Sequence, residues 1–262
     1  MDFVSFSPEQ FESFVLILVR ISVVLFMLPI FGSVMLPNFI KAGLALVISI
    51  VLFPVVRPDP MLFPKGLLGS ANLILSEVIL GLIIGLTIRL FFAAIQLAGQ
   101  LVGFQMGFAI ASVLDPESGA QGSILSQMGY WIAILIFLLL DGHHVLLRTL
   151  ADSFSMIEVG SLSLREGLFH KILEASGDMF AMAVKVGAPA IAALLFTSAA
   201  FGIVARTVPQ INVLIMAFPL KIVVGLFFFG FSLDLLLYFM KQYVAGFAGT
   251  LRIIMGLIGA RV

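Results

Sequence analysis

The sequence predicts an all-α fold: a polytopic, membrane-associated helical bundle whose helices are kinked and interrupted. Of its 262 residues 61% are hydrophobic and only 11% are charged, and the mean hydropathy is +1.22, so a soluble domain would lack polar residues for its surface. Several apolar runs also contain charges: Arg20, Glu77, Arg89, Lys185 and Lys221. A charge at the bilayer centre costs about 2.5–3.5 kcal/mol. These helices therefore need polar partners from this chain, from other subunits or from a water-filled path.

Composition also sets aside several classes of protein. Cysteine is absent and the formal net charge is zero, so we expect no disulfides, no thiolate metal site and no nucleic-acid partner. No nucleophile elbow, HExxH, P-loop or dinucleotide fingerprint occurs, so neither an enzyme nor a cofactor is expected. Residues 1–12 lack the basic region of a cleavable signal peptide. We therefore expect the first apolar run to remain in the mature protein.

Hydrophobic runs divide the chain into predicted helices. A helix needs roughly 20 apolar residues to cross the hydrocarbon core, and Pro29, Pro189 and Pro219 interrupt some runs, so the number of crossings stays open. Lys and Arg are scattered among the connections, which leaves the orientation open too. We treat residues 1–262 as a single helical domain. The predicted segments are 11–31, 38–56, 67–92, 93–111, 124–140, 164–177, 179–206 and 211–240, with an amphipathic tail over 241–262.

The polar stretch 141–178 is predicted to be a helical connection. Ser163 and Glu166 fit a capping box, in which the two side chains satisfy free backbone amides at a helix start. Leu164, Leu168 and Ile172 then form one apolar stripe. This pattern favours a helix at the membrane interface, and a helix that docks a partner is the alternative.

Small residues recur along two predicted helix faces. Spacing of four residues lets helix backbones approach closely, and side-chain amides can bond across the contact. Glu77 and Arg89 lie about 18 Å apart at 1.5 Å per residue, so they cannot pair with each other and need other partners. The first face carries Glu77, Gly81, Gly85 and Arg89, and the second carries Gln96, Gly99, Gln100, Gly103 and Gly107.

A glycine-rich segment follows, from residue 103 to residue 122. It begins as a helix and ends in a loop marked by Asp115 and Pro116. An apolar constriction blocks ions by dewetting, and a flexible one can move aside; a plain connection between helices is the alternative. The bulky apolar groups beside the flexible backbone are Phe104, Met106, Phe108, Ile110, Val113 and Leu114.

Two further polar clusters interrupt apolar sequence. The first cluster could form a metal site or a proton relay, and it consists of Asp141, His143 and His144. Zinc requires three or four ligands and the only other histidine is His170, so we expect no metal and a helix that ends at a polar boundary. The second cluster predicts either a tight turn or a buried polar contact with another subunit. It consists of Arg206, Gln210 and Asn212 around Pro209, and Lys221 follows it.

In order and spacing these landmarks resemble the FliR family, which comprises the flagellar export-gate protein and its virulence-secretion counterparts. The resemblance covers about residues 14–240. Its motifs are Gly103-Phe-Gln-Met-Gly107, Asp115-Pro116, Gly142-His143, Arg206-Thr-Val-Pro209-Gln210-Ile-Asn212 and Phe218-Pro219-Leu-Lys221, preceded by Arg20, Pro29, the turn from Val34 to Lys41, and Glu77 with its glycines.

The resemblance implies that this chain is a subunit of a protein-export gate. One copy would complete a helical, tapering pore with FliP and FliQ, with FlhB and FlhA as further partners, in the bacterial inner membrane at the flagellar basal body. Residues 104–122 would form a plug, and unfolded exported proteins would pass through the pore. The polar residues expected at buried or assembly contacts are Arg20, Glu77, Arg89, His143, Lys185, Arg206, Gln210, Asn212 and Lys221.

Two alternatives stay beside this interpretation. Members of virulence injectisomes share the same landmarks, although general similarity favours the flagellar branch. The other alternative is a self-contained ion-coupled transporter, in which Glu77, Arg89, Lys185 and His143 line a relay. No inverted repeat is evident in the sequence, which weighs against a transporter.

Overall fold

The computed structural model describes residues 8–29, 37–56, 66–108, 124–162, 165–207, 210 and 213–258. Every element of regular secondary structure longer than one residue in these ranges is an α-helix, which confirms the all-α prediction. The seven helices of the described ranges are α1 (Pro8–Met27), α2 (Asn38–Val56), α3 (Leu67–Met106), α4 (Ile124–Leu139), α5 (Gly142–Met156), α6 (Glu166–Thr207) and α7 (Val213–Ile258).

Three of these helices are much longer than a membrane crossing requires. The helices α3, α6 and α7 contain 40, 42 and 46 residues. At 1.5 Å per residue each is about 60–70 Å long, roughly twice the thickness of the hydrocarbon core.

The sequence placed breaks inside two of these helices, and both breaks were wrong. Residues 67–92 and 93–111 form one helix to Met106, and residues 164–177 and 179–206 form one helix from Glu166. The helix α7 likewise continues through residues 241–258, which the sequence assigned to a tail. Gly177, where the sequence divided α6, costs a helix only about 1 kcal/mol relative to alanine, which packing offsets. Pro189 and Pro219 lie inside α6 and α7, as membrane helices tolerate.

The ends of the other helices follow local chemistry. The helix α1 stops at Met27, earlier than predicted, because a residue before proline disfavours helical backbone and Pro29 follows Leu28. The helix α6 begins at Glu166, and its predicted cap Ser163 lies outside the described residues. Between α4 and α5, Asp141 adopts φ 54° and ψ 25°. This confirms that a helix ends at the polar cluster around Asp141.

Five helices of the described ranges are long and apolar enough to cross a membrane: α1, α2, α3, α6 and α7. A sixth crossing results if α4 and α5 count as one interrupted span. The helices differ in how much the chain itself covers them: 56% of the apolar window of α3 is buried, against 11% for α6 and 22% for α7. Large apolar surfaces on α6 and α7 are therefore left for lipid or for other chains.

The chain divides into two compact units. The first comprises Met1–Leu90, Asp141–Ala175 and Val244–Val262, and the second comprises Phe91–Leu140 and Ser176–Tyr243. Buried apolar residues of the first unit include Ile17, Ile21, Leu80 and Ile84. The core of the second unit is a cluster that brings together Val102, Met106, Leu125, Ala190, Leu194 and Phe229.

Candidate functional site

Two charged residues of the first unit are completely buried and form an ion pair. Arg20 lies on α1 and Glu77 on α3, and both side chains have 0% exposure. The guanidinium donates from Nε to Oε2 over 2.5 Å and from Nη2 to Oε1 over 3.0 Å. This two-pronged geometry is the strong form of an arginine–carboxylate contact. Both charges that the sequence placed in apolar helices 57 residues apart therefore find their partner in this chain.

Backbone groups from the end of α5 and the turn after it complete the cluster. Arg20 Nη1 donates to the carbonyl of Ser153 over 3.2 Å, and Nη2 donates to the carbonyl of Ile157 over 3.3 Å. The backbone N–H of Gly160 donates to Glu77 Oε1 over 2.8 Å. We call these five residues the Arg20 cluster. The cluster connects α1 and α3 to the last turn of α5, where the Ser153 carbonyl also accepts the N–H of Ile157 over 3.0 Å.

An aromatic ring covers the guanidinium of Arg20. Its Cζ atom lies 4.2 Å from the ring centroid of Phe154, in cation–π geometry. Each charge of the pair is thus neutralised and hydrogen-bonded. If either residue were removed, the charge of the other would stay buried without a counter-charge, which destabilises a protein by about 3–5 kcal/mol.

The glycines that follow Glu77 allow α1 and α3 to approach closely. A Cβ atom at Gly81 would lie 2.8 Å from Val23 Cβ, and one at Gly85 would lie 2.5 Å from Met27 Cβ. Any larger side chain would push the helices apart. The small residues therefore set the distance that places the Glu77 carboxylate against Arg20.

Glycine also governs the turn that closes the cluster. Gly160 has φ +83°, a conformation that side chains disfavour. A Cβ atom there would collide with the side chain of Leu73 on α3. A side chain at this position would therefore strain the turn that presents its N–H to Glu77.

The second stripe of small residues lies in the second unit. A Cβ atom at Gly99 would lie 2.5 Å from Ser126 Cα, so the backbones of α3 and α4 touch there. Ser126 Oγ also donates to the carbonyl of Gln96 over 2.9 Å. Gly103 is buried as well, and Gly107, with φ +92°, follows the end of α3 beside the ring of Phe218.

The other polar residues that the sequence predicted at buried or assembly contacts are not members of the Arg20 cluster. Arg89 is exposed, and its Nη1 lies 4.0 Å from Met27 Sδ. Lys221 is half-buried. Lys185, Arg206 and Gln210 are exposed, and Asn212 lies outside the described residues. Their role in contacts with other subunits stays a prediction.

The first residues of the predicted plug belong to α3 or directly follow it. Phe104 is 70% exposed, whereas Met106 is fully buried and lies against Gly225 of α7. Phe108 is half-buried against the core cluster of the second unit. The remaining plug residues lie outside the described ranges: Ile110, Val113, Leu114, Asp115 and Pro116.

His143 stands near the start of α5. Its side chain is half-buried, beside the exposed Asp141 and His144. This places it in the first unit, apart from the hydrogen bonds of the Arg20 cluster.

Sequence reasoning missed the backbone members of the Arg20 cluster. Ser153 and Ile157 contribute carbonyl oxygens, which every residue carries, and the Ser153 hydroxyl adds only a long contact of 3.4 Å with Arg20 Nη1. Gly160 offers one signal: it lies four residues after the end of α5, and a glycine in a connection between helices often marks a turn with positive φ.

Comparisons with known proteins agree with this architecture. A sequence model of the family described as "Bacterial export proteins, family 1" matches residues 11–247. A protein of Bacillus subtilis (strain 168) named flagellar biosynthetic protein FliR is 32% identical over 254 residues, which cover 96% of this chain and 97% of that protein. Proteins of the same name are 31% identical in Pectobacterium carotovorum (90% and 88% covered) and 28% identical in Escherichia coli K12 (80% and 79% covered).

Proposed function

This chain belongs to the FliR family of bacterial export proteins, and we propose that it is a subunit of the flagellar type III secretion export gate. It would form, with FliP and FliQ, the channel through which unfolded flagellar proteins cross the inner membrane. FlhB and FlhA would be further partners. The relatives carry a flagellar name, which favours the flagellar gate over a virulence injectisome.

The observation that carries this proposal is the uncovered surface of α6. Only 11% of its apolar window is buried within the chain. Near the middle of that helix Lys185 is exposed among apolar neighbours such as Val184 and Phe180. Lipid would leave its ammonium without a counter-charge at a cost of several kcal/mol unless it reached the headgroups. A neighbouring subunit would cover the apolar surface and supply the missing polar partner.

The plug assignment rests on the end of α3. Met106 anchors this end in the core of the second unit, whereas Phe104 projects from it with 70% exposure. A left-handed glycine, Gly107, then ends the helix. Residues 104–122 would thus begin at a fixed point and place apolar side chains in the closed pore, where they would exclude water and ions. In this proposal the chain acts as conduit and seal.

Co-purification tests the proposal. The tagged chain is expressed with and without FliP and FliQ, and the mass of the purified material is measured. We expect a stable heteromeric complex that contains one copy of this chain. A monodisperse monomer or homo-oligomer that recovers neither partner would overturn the gate assignment. Ion transport by that material after reconstitution alone would then favour the self-contained transporter.

A further inference from the structure

We propose that Asp141, His143 and His144 form a binding site for a divalent transition-metal ion of the Zn²⁺ class. One potential ligand atom from each residue lies within 4.8 Å of the other two. The two imidazole rings lie side by side, with centroids 4.1 Å apart and a tilt of 36°. The cluster belongs wholly to the first unit.

The backbone at Asp141 explains why the three side chains converge. Asp141 precedes α5 in a left-handed conformation, and its carbonyl accepts hydrogen bonds from the N–H groups of His144 and Val145. An aspartate in this position usually also caps the helix through its carboxylate. Here the carboxylate makes no such bond. Its Oδ1 instead lies 3.3 Å from His144 Nδ1.

A second observation points to a missing ligand. The Nδ1 atom of His143 is buried, and it has no hydrogen-bond partner among the described residues. A buried polar atom left unsatisfied costs about 1–3 kcal/mol, and an ion or a water is a usual explanation for such an atom. A cation bound at this nitrogen would supply the partner.

The donor set matches a metal of this class. Two imidazoles and one carboxylate form a borderline set that suits Zn²⁺, Ni²⁺ or Cu²⁺ better than Mg²⁺ or Ca²⁺. With metal–ligand bonds of 2.0–2.2 Å, tetrahedral ligand atoms lie roughly 3.3–3.6 Å apart. The contact between Asp141 and His144 already has this spacing, and rotation of the His143 ring would bring in the third ligand.

Two of the three proposed ligand residues are open to solvent. Asp141 and His144 are exposed, with 74% and 67% of their side chains accessible, so water can take the fourth position, as it does in three-ligand zinc sites. The positive end of the α5 dipole opposes a cation. The Asp141 carboxylate offsets that repulsion, which makes it as necessary as the two histidines.

Zinc titration of the purified protein tests the site. The protein carries an affinity tag without histidine, is stripped with a chelator, and is titrated with Zn²⁺ by calorimetry in detergent, alone or in complex with its gate partners. We expect about one equivalent to bind. His143→Ala, His144→Ala and Asp141→Asn should each weaken binding at least tenfold. His170→Ala, which removes an exposed histidine of α6, is the matched control and should bind as the wild type does.

Either of two results would overturn this assignment: a wild-type protein that takes up no zinc, or cluster variants that bind it as tightly as the His170 control. If His143→Ala does not fold, the variants at the exposed positions 141 and 144 decide the question. Helix content by circular dichroism shows which variants are folded. Because the readout is metal uptake, this proposal and the gate proposal fail independently.

Discussion

Arg20, in the first helix, donates hydrogen bonds from both terminal nitrogens to the carbonyl oxygen of Ile157, 137 residues further along the chain. The carbonyl belongs to the turn that follows α5, and the guanidinium that holds it is itself fixed by Glu77. A charge pair within apolar helices thus secures a distant turn. Five predictions address this cluster, the helix contacts of the second unit, the exposed lysine and the plug.

Replacing Glu77 with Leu should destabilise the protein by about 3–5 kcal/mol, because Arg20 would remain buried without its counter-charge and the N–H of Gly160 would lose its acceptor. Thermal unfolding in detergent and the yield of the assembled complex measure the effect. Arg89→Leu is the matched control for thermal unfolding alone, since it removes an exposed charge from the same helix. An unchanged melting temperature and yield for Glu77→Leu would contradict a structural role for the pair.

The double variant Arg20→Leu, Glu77→Leu separates the charge pair from simple loss of contacts. Removing both charges leaves no unmatched ion, so its cost should be smaller than the sum of the two single variants. The difference is the coupling energy of the pair. Strict additivity of the three unfolding free energies would show that the two side chains act independently.

Replacing Gly99 with Ala should destabilise the second unit, whereas Gly177→Ala should not. The new Cβ at position 99 would lie 2.5 Å from the backbone of Ser126, while position 177 has open space around it. Overpacking costs about 1–3 kcal/mol, and alanine in an open helical position gains about 0.5–1 kcal/mol over glycine. Melting temperatures should therefore shift in opposite directions. Equal shifts for the two variants would refute the close contact between α3 and α4.

Reversing the charge of Lys185 should reduce recovery of the gate partners. If a neighbouring subunit presents a carboxylate or another acceptor to this exposed lysine, Lys185→Glu should lower co-purification of FliP at least tenfold, and Lys185→Arg should preserve it. The matched control is Lys171→Glu, at a residue of the same helix that pairs locally with Glu174. Recovery of FliP with Lys185→Glu at the wild-type level would show that this lysine faces lipid headgroups or water.

Deleting residues 110–122 should open the closed pore. If this segment carries most of the plug, cells that assemble the shortened protein should admit ions and small dyes that the wild type excludes. Growth and dye uptake measure the leak, and co-purification of partners shows that the complex still forms. Wild-type impermeability in cells with an assembled complex would rule out the plug.

The sequence determined the fold class of this protein and the positions of many of its helices. Apolar runs of membrane-spanning length appear directly in composition, and the segment 38–56 was predicted with the bounds that the structure gives. The need of Glu77 for a partner was also visible, because a lone carboxylate in an apolar helix is too costly to persist. The ordered landmarks from Arg20 to Lys221 were sufficient to point to the export family.

Only the tertiary structure decided which groups meet. The partner of Glu77 lies 57 residues away on α1, and local periodicity carries no information about such a distance. The long helices α3, α6 and α7 continue across the points at which sequence reasoning ended a segment, since tertiary packing outweighs local propensities, which cost about 1 kcal/mol for glycine and about 3 kcal/mol for proline. The unsatisfied nitrogen of His143 became visible only in three dimensions, because burial and hydrogen bonding are properties of the folded chain.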